Sequence, residues 1–251
     1  MVMSIDAHSR ETRPFASEVK FLVDATTGAA IRTWVRASLD PDPHGGGPFG
    51  DEYRTTSLYF DTDEGDVFHR RGSFGRSKYR VRRYDGASSV FLERKLRRPG
   101  ILVKRRTTVP IDALDRLTAL DSDPDWAGAW FHRRLRLRDI NPVCEVSYLR
   151  MARTARTSAG PVRLTLDADV RVAPAAHACF GVDSGVPVFE DRVILELKYR
   201  HELPLIFKTL IATFLLAPQA ASKYRLGVAT LKDVGFPLVE TIAATGGLSH
   251  V

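Results

Sequence analysis

Cysteine is scarce. The 251 residues hold two, Cys144 and Cys179, in unrelated contexts and without a CxxC pair. Neither a zinc site nor a disulfide framework follows from so few. The histidines show no HxH or HExxH spacing, so nothing points to a zinc-type metal. The first residues, MVMSIDAHSRETRP, contain no apolar signal core. The longest apolar run, PLIFKTLIATFLLAP, is interrupted by Lys208 and is too short to span a bilayer. A soluble, cytoplasmic chain is therefore expected. There is no tandem repeat and no strand–helix alternation, which argues against Rossmann and TIM arrangements. Acid is also short relative to base: 30 Asp and Glu face 37 Lys and Arg, for a net charge of +7. Such a balance suits a polyanionic partner, whether nucleic acid, an anionic membrane surface, a nucleotide or another phosphate-rich ligand.

What is present is a globular composition, 44% hydrophobic and 27% charged. Strand-like alternation marks residues 15–24, 53–62, 77–84, 88–96, 101–110, 142–155, 161–172 and 191–200, with a hairpin turn at Asp85-Gly86. Helical spacing marks 25–40, with Thr26 or Thr27 as the expected N-cap, then 111–138 and 203–217, and a short last element starts at 222. Residues 41–50 read as a loop, and 63–73 as a turn with a short helix. The expected division is a disordered leader over 1–13, one domain over 14–232 and a tail over 233–251. The fold class expected is α+β: an eight-stranded antiparallel barrel or tunnel with helices packed outside.

Side chains alternate faces along a strand. Arg80 and Arg82 therefore share a face, as do Glu93 and Lys95, Lys104 and Arg106, Glu196 and Lys198, and Glu18 and Lys20. One such pair is explained by a solvated outer face. Five strands with the same pattern are better explained if the apolar faces pack under helices and the charged faces line a lumen. A lumen of many Arg and Lys with few Glu needs a bound polyanion. A chain of phosphates fits, since Arg binds phosphate oxygens in a fork and Lys supplies point charges. Glu196, with Glu18 or Glu93 nearby, offers hard oxygens for a divalent cation. Arg83, Arg94, Arg97 and Arg98 are expected to face solvent or the tunnel mouth.

Nine segments carry a family resemblance: EVKF (18–21), TSLYFDT (56–62), KYRVRRY (78–84), FLERK (91–95), VKRR (103–106), SYLRMA (147–152), VRLTLD (162–167), LELKY (195–199) and SKY (222–224). In this order, over roughly 15–230, they resemble the VTC domain, the polyphosphate-polymerase branch of the triphosphate tunnel metalloenzymes, also called the CYTH superfamily. The resemblance implies an eight-stranded tunnel that takes ATP and inorganic polyphosphate or triphosphate, assisted by manganese or magnesium. It implies phosphate binding by Lys20, Arg80, Arg82, Lys95, Lys104, Arg150, Arg163, Lys198 and Lys223. Catalytic roles would fall to Arg80, Arg82, Lys95, Lys198 and Glu196, and Glu196 would be the metal ligand. Ala16 stands where the superfamily has the first of its alternating glutamates, a departure that favours polymerase over hydrolase. The family's SPX-like domain and membrane segments have no counterpart in the 251 residues.

Phosphoryl transfer asks the protein for positioning and charge stabilisation rather than covalent chemistry, so no Ser-His-Asp or Cys-His set is needed. Three functions remain open from the residues: ATP-dependent polyphosphate synthesis, metal-dependent hydrolysis of triphosphate or a nucleoside triphosphate, and non-catalytic polyphosphate binding. Nucleic acid is not expected as a partner, because no RNP, KH or helix-turn-helix pattern accompanies the tyrosines.

Overall fold

The computed structural model describes residues 17–98, 101–121, 123–181 and 185–236. The expected leader, Ala16, the Pro99-Gly100 turn, the side chains of Arg97 and Arg98, and residues 237–251 of the expected tail lie outside them.

The chain runs β1 (Ser17–Asp24), α1 (Ala25–Ser38), β2 (Asp40–Pro41), β3 (Glu52–Asp61), α2 (Asp66–His69), β4 (Ser77–Tyr84), β5 (Ser89–Arg98), β6 (Ile101–Pro110), α3 (Ala129–Arg138), β7 (Asn141–Thr157), β8 (Gly160–Pro174), β9 (Val186–Pro187), β10 (Arg192–Tyr199), α4 (Leu205–Thr213) and α5 (Lys223–Asp233). Two 3₁₀ turns, Gly72–Arg76 and Ile111–Leu117, lead into β4 and follow β6. All strands join one antiparallel sheet in the order β1-β10-β8-β7-β3-β4-β5-β6, with β2 on β7 and β9 on β8.

The sheet curls round on itself, with no pairing between its end strands β1 and β6 among the described residues. Glu18 on β1 lies 3.7 Å from Lys95 on β5, although the two strands are nearly at opposite ends of the order. Right-handed twist accumulated over eight strands brings their inner faces within side-chain reach in this way. The segment after α4 covers the β1 edge, where Gln219 N–H donates to the Lys20 carbonyl at 2.8 Å. The expected α+β tunnel with outer helices is the fold observed.

Two apolar clusters lie under the outer helices. One packs Phe21, Leu164, Leu166, Leu195 and Leu197 against Ile31 and Val35 of α1 and Phe207 and Leu210 of α4. The other packs Leu58, Phe60, Tyr79, Val81 and Leu92 against Phe131 and Leu135 of α3. A third cluster sits inside the curl at one end: Tyr59, Val146, Tyr148 and Ile194 close on Tyr224, Val228 and Leu231 of α5. The last helix thus fills one end of the tunnel with apolar side chains. Gly227 permits it, since a Cβ there would come within 3.0 Å of Val172 and 3.2 Å of Val146.

Three local expectations need correction. The cap of α1 is Asp24, whose carboxylate accepts from Thr27 N–H at 2.7 Å, not Thr26 or Thr27. Residues 111–138 are not one helical stretch. The 3₁₀ turn ends at Leu117 and α3 starts at Ala129, because Asp121, Asp123, Pro124 and Gly128 favour turns between them. The helix expected over 203–217 spans only Leu205–Thr213, stopped by Leu215 at φ 48° and Pro218 beyond it. Among the described residues no helix is long and apolar enough to cross a membrane.

Candidate functional site

The register decides which side chains share the inner face. On one half of the sheet three rows run across the strands: Lys78–Lys95–Lys104, Tyr59–Arg80–Glu93–Arg106, and Ser57–Arg82–Phe91–Thr108. On the other half the rows are Glu18–Lys198–Arg163 and Lys20–Glu196–Thr165. The two halves join through Tyr53–Arg150–Asp167–Ile194, polar at one end and apolar at the other. The odd-numbered partners on β4, Tyr79 and Val81, belong to the outer cluster, so the intervening Lys78, Arg80 and Arg82 point inward.

All nine side chains expected to bind phosphate fall on this face or on the first turn of α5. Every long strand except β3 contributes at least one: Lys20, Arg80 and Arg82, Lys95, Lys104, Arg150, Arg163 and Lys198, with Lys223 from α5. Lys78 and Arg106 join them. Among the described residues eleven inward cations face five carboxylates held in ion pairs, those of Glu18, Asp42, Glu93, Asp167 and Glu196, while Asp61 is taken up by the Tyr224 hydroxyl and the Val67 and Phe68 amides.

The acids are shared. Buried Glu93 takes Arg80 at 2.6 Å and Lys104 and Arg106 at 3.1 Å each. Burial would push its carboxyl up, but Arg80, Arg82, Lys104 and Arg106 hold it well below the usual range. Asp167, fully buried, accepts a forked pair from Arg150 at 2.6 and 2.8 Å and also holds Lys223. Burial opposes its charge, yet Arg150 and Lys223 bring it down to about 2. Glu196 lies between Lys198 at 2.6 Å and Lys20 at 3.1 Å, which overcome burial and hold it well below its ordinary value. Lys20 also reaches Glu18 at 3.3 Å. Burial works against the Lys20 charge, but Glu196 and Glu18 together raise it above its ordinary value. Arg163 is steadied by Asp42 at 3.0 Å and the Tyr53 hydroxyl at 2.9 Å.

Other cations rest on hydroxyls. Arg82 donates to Ser57 Oγ at 3.0 Å and to the Tyr148 hydroxyl at 3.1 Å. Lys78 donates to Ser222 Oγ at 2.7 Å. Among the described residues the inner cations thus outnumber the inner carboxylates, and they face a common volume. Multiple phosphate oxygens could complete it with charge-assisted hydrogen bonds. The effect of the crowding is visible on neutralisable groups. Burial and then Lys20 depress Lys95 to about 8, although Glu18 resists. Tyr84, which burial would raise, is brought to about 8 by Arg82 and Arg106.

Among the described residues no group of three or more His, Cys, Asp or Glu is arranged to hold a metal. Glu18 and Glu196, which bracket the Lys20 ammonium, are two hard oxygen donors at one point. Two carboxylates suit a magnesium-like ion that brings water and substrate phosphate oxygens as its remaining ligands. Glu93, the alternative neighbour expected for Glu196, is taken up by Arg80, Lys104 and Arg106 instead.

Sequence reasoning missed Asp167, Lys78 and Ser222. Their signal was the two-residue period: Asp167 stands four after Arg163 on β8, and Lys78 two before Arg80 on β4. Arg94 lies on the outer side, over the Tyr79 ring at 5.8 Å. Arg83 holds the hairpin carbonyls of Gly86 and Ala87.

The sequence matches the VTC domain family over residues 15–232. Among solved structures, a candidate adenylate cyclase from Bacillus halodurans superposes with a TM-score of 0.51 at 16% identity, covering 82% of this chain and 92% of the other. The PH1819 protein of Pyrococcus horikoshii gives a TM-score of 0.47 at 14% identity, covering 85% and 99%. A candidate adenylyl cyclase from Hippeastrum, described as having a dominant triphosphatase activity, gives 0.46 at 14% identity, covering 85% and 95%. Among curated proteins nothing matches.

Proposed function

Because the chain belongs to the VTC domain family, we propose that it transfers the γ-phosphoryl group of ATP to a growing inorganic polyphosphate chain inside the basic tunnel. The observation that carries this reading is the inner face itself, where among the described residues eleven cations, drawn from seven strands and one helix, face five ion-paired carboxylates. A linear polyanion is the ligand that such a surface balances along its whole length.

In this reading a terminal phosphate oxygen of the acceptor chain attacks the γ-phosphorus. The bond from that phosphorus to the β,γ-bridging oxygen breaks, and ADP leaves with the negative charge. Arg80, Arg82, Lys95 and Lys198 hold the reacting phosphates in line and neutralise charge on their equatorial oxygens. Lys20, Lys104, Arg150, Arg163 and Lys223 hold the rest of the chain. Glu93 and Asp167 keep the guanidinium groups of Arg80 and Arg150 in fixed orientations, so little reorganisation is needed when phosphate arrives. A divalent cation such as manganese or magnesium, held through Glu196 with Glu18 beside it, would supply further neutralisation of phosphate oxygens.

A second reading, hydrolysis of triphosphate or a nucleoside triphosphate in the same tunnel, is favoured by the two carboxylates at Lys20, since two hard ligands can also serve a water-activating ion. Products separate the two. Protein incubated with ATP and manganese should yield ADP and chains that resolve on a gel, with free phosphate as the minor product. In Glu196→Gln, synthesis should fall by about a hundredfold or more, the scale for losing one charge-stabilising group. Stoichiometric phosphate release without chains would replace synthesis by hydrolysis.

A further inference from the structure

Lys78 is an inward cation for which the fold supplies no acid among the described residues. Its hydrogen-bond partner is the neutral hydroxyl of Ser222 at 2.7 Å. The charges that weigh most on it are positive: Lys20 from β1, Lys95 from β5, Arg80 from its own strand and Arg70 after α2; the nearby carboxylates Glu18 and Glu196 are held by Lys20, and Glu18 also by Lys95. Lys95 stands directly opposite it across the β4–β5 ladder, and Lys104 stands opposite Lys95. Like charges in facing positions repel; in this row Lys104 is offset by Glu93 and Lys95 by Glu18, and Lys78 rests on the neutral Ser222 hydroxyl. Ser222 is also the N-cap of the eleven-residue helix α5, whose N-terminal dipole adds positive potential at the same point.

We propose that Lys78, together with the N-terminus of α5, is a further phosphate subsite of the tunnel, and that a phosphoryl group entering it arrives with one proton taken from solvent onto Lys78 Nζ. The inference rests on the tunnel reading above. Burial, reinforced by Lys20, Lys95, Arg80 and Arg70, holds the free amine at about 7. In the ligand-free protein at slightly alkaline pH the amine is thus mostly neutral and donates to Ser222. A doubly charged phosphate oxygen group placed beside it replaces repulsion by attraction and restores the ammonium. No other bond changes. The fixed charges of the arginines bind phosphate equally across this range, whereas the Lys78 subsite weakens as protons become scarce. The tunnel's grip on a phosphate chain therefore acquires a pH dependence to which Lys78 adds its own part beside that of Lys95.

The test is calorimetric titration of sodium triphosphate into wild type and Lys78→Arg, without metal, at pH 7.5 and 8.5. Arginine keeps the charge and abolishes the titration. By linkage, uptake of one proton makes affinity fall about tenfold per pH unit. Between the two pH values the wild-type Kd should therefore rise about five- to tenfold more than the variant's. Equal pH slopes in the two proteins would overturn the inference while leaving the tunnel intact. No binding to folded wild type at either pH would overturn the tunnel reading as well. A second measurement needs no variant. Competitive acetylation of wild type, read by peptide mass, should show Lys78 reacting with a midpoint of about pH 7. Triphosphate should move that midpoint up by more than about one pH unit, equivalent to a tenfold preference for the charged amine. A midpoint at the ordinary lysine value in the free protein, or no movement with triphosphate, would contradict it.

Discussion

Arg82 and Arg94 carry the same charge on neighbouring strands and face opposite ways. Arg82 is buried inside, donating to Ser57 and Tyr148, while Arg94 lies over Tyr79 on the outer side. Removing a charged hydrogen bond from a shielded site costs about 1.5–3 kcal/mol. Arg82→Ala should accordingly weaken triphosphate binding about ten- to a hundredfold, on the usual scale of 1.4 kcal/mol per factor of ten. Arg94→Ala should change it less than about threefold, because its charge lies on the far side of the sheet. Equal losses, measured by calorimetry, would mean that the inward face has been misassigned. The two-residue period makes Arg80 with Arg82, Lys95, Lys104 and Lys198 legible as lining a lumen, whereas Arg163 enters only through the family resemblance. It could not reveal how the acids are used. Glu93 reads in the sequence as an alternative to Glu18 beside Glu196, and only the β4-β5-β6 register shows it spent on Arg80, Lys104 and Arg106. Asp167 ends a run of alternating residues whose importance depends on Arg150, seventeen positions away and directly opposite it on β7.

At the scale of elements, the strands were readable because alternation survives wherever one face is apolar and the other charged. The role of α5 was not. Its sequence reads only as a short last element starting at 222, and a helix that enters the curl rather than covering it leaves no separate signature. What fixes it is a set of distant contacts. Lys78 holds Ser222, Lys20 reaches the Ala221 carbonyl at 3.5 Å, Lys223 meets Asp167, and the Tyr224 hydroxyl donates to Asp61. Gly227 seats the helix against β7 and β8. Gly227→Leu should cost about 1–3 kcal/mol through overpacking, read as a lower denaturant midpoint with little change in slope. Unaltered stability would show that α5 is not packed into the curl as described. The turns between Leu117 and Ala129 were lost in a helical reading because Phe131, Leu135 and the surrounding arginines dominate the local periodicity, while Asp123, Pro124 and Gly128 break it.

For the molecule as a whole, the surplus of inner charge should appear in its pH profile. Lys78 is held at about 7 by burial and its cationic neighbours, and Tyr84 at about 8 by Arg82 and Arg106 against burial. Both titrate near 10 in an unfolded chain. Between these limits the unfolded chain binds more protons, so these groups make stability rise with pH. The opposing groups, Cys144 and Tyr224, are pushed up by burial and act only above their ordinary values. The ligand-free melting temperature should therefore increase from pH 7 to about 8.5, and Lys78→Met should flatten the rise. A fall over that range in wild type would contradict the balance of charges described for the tunnel.

The central claim is that the inner face of the curled sheet receives a chain of phosphates, and a thermal melt with triphosphate addresses it most directly. A ligand that binds only the folded state raises its stability by about 2.7 kcal/mol at a hundred times Kd, a shift of several degrees for a domain of this size. Wild type at low salt is predicted to melt higher with triphosphate, and the shift should shrink as salt screens the cations. Folded protein whose melting temperature does not move with triphosphate at low salt would contradict the account.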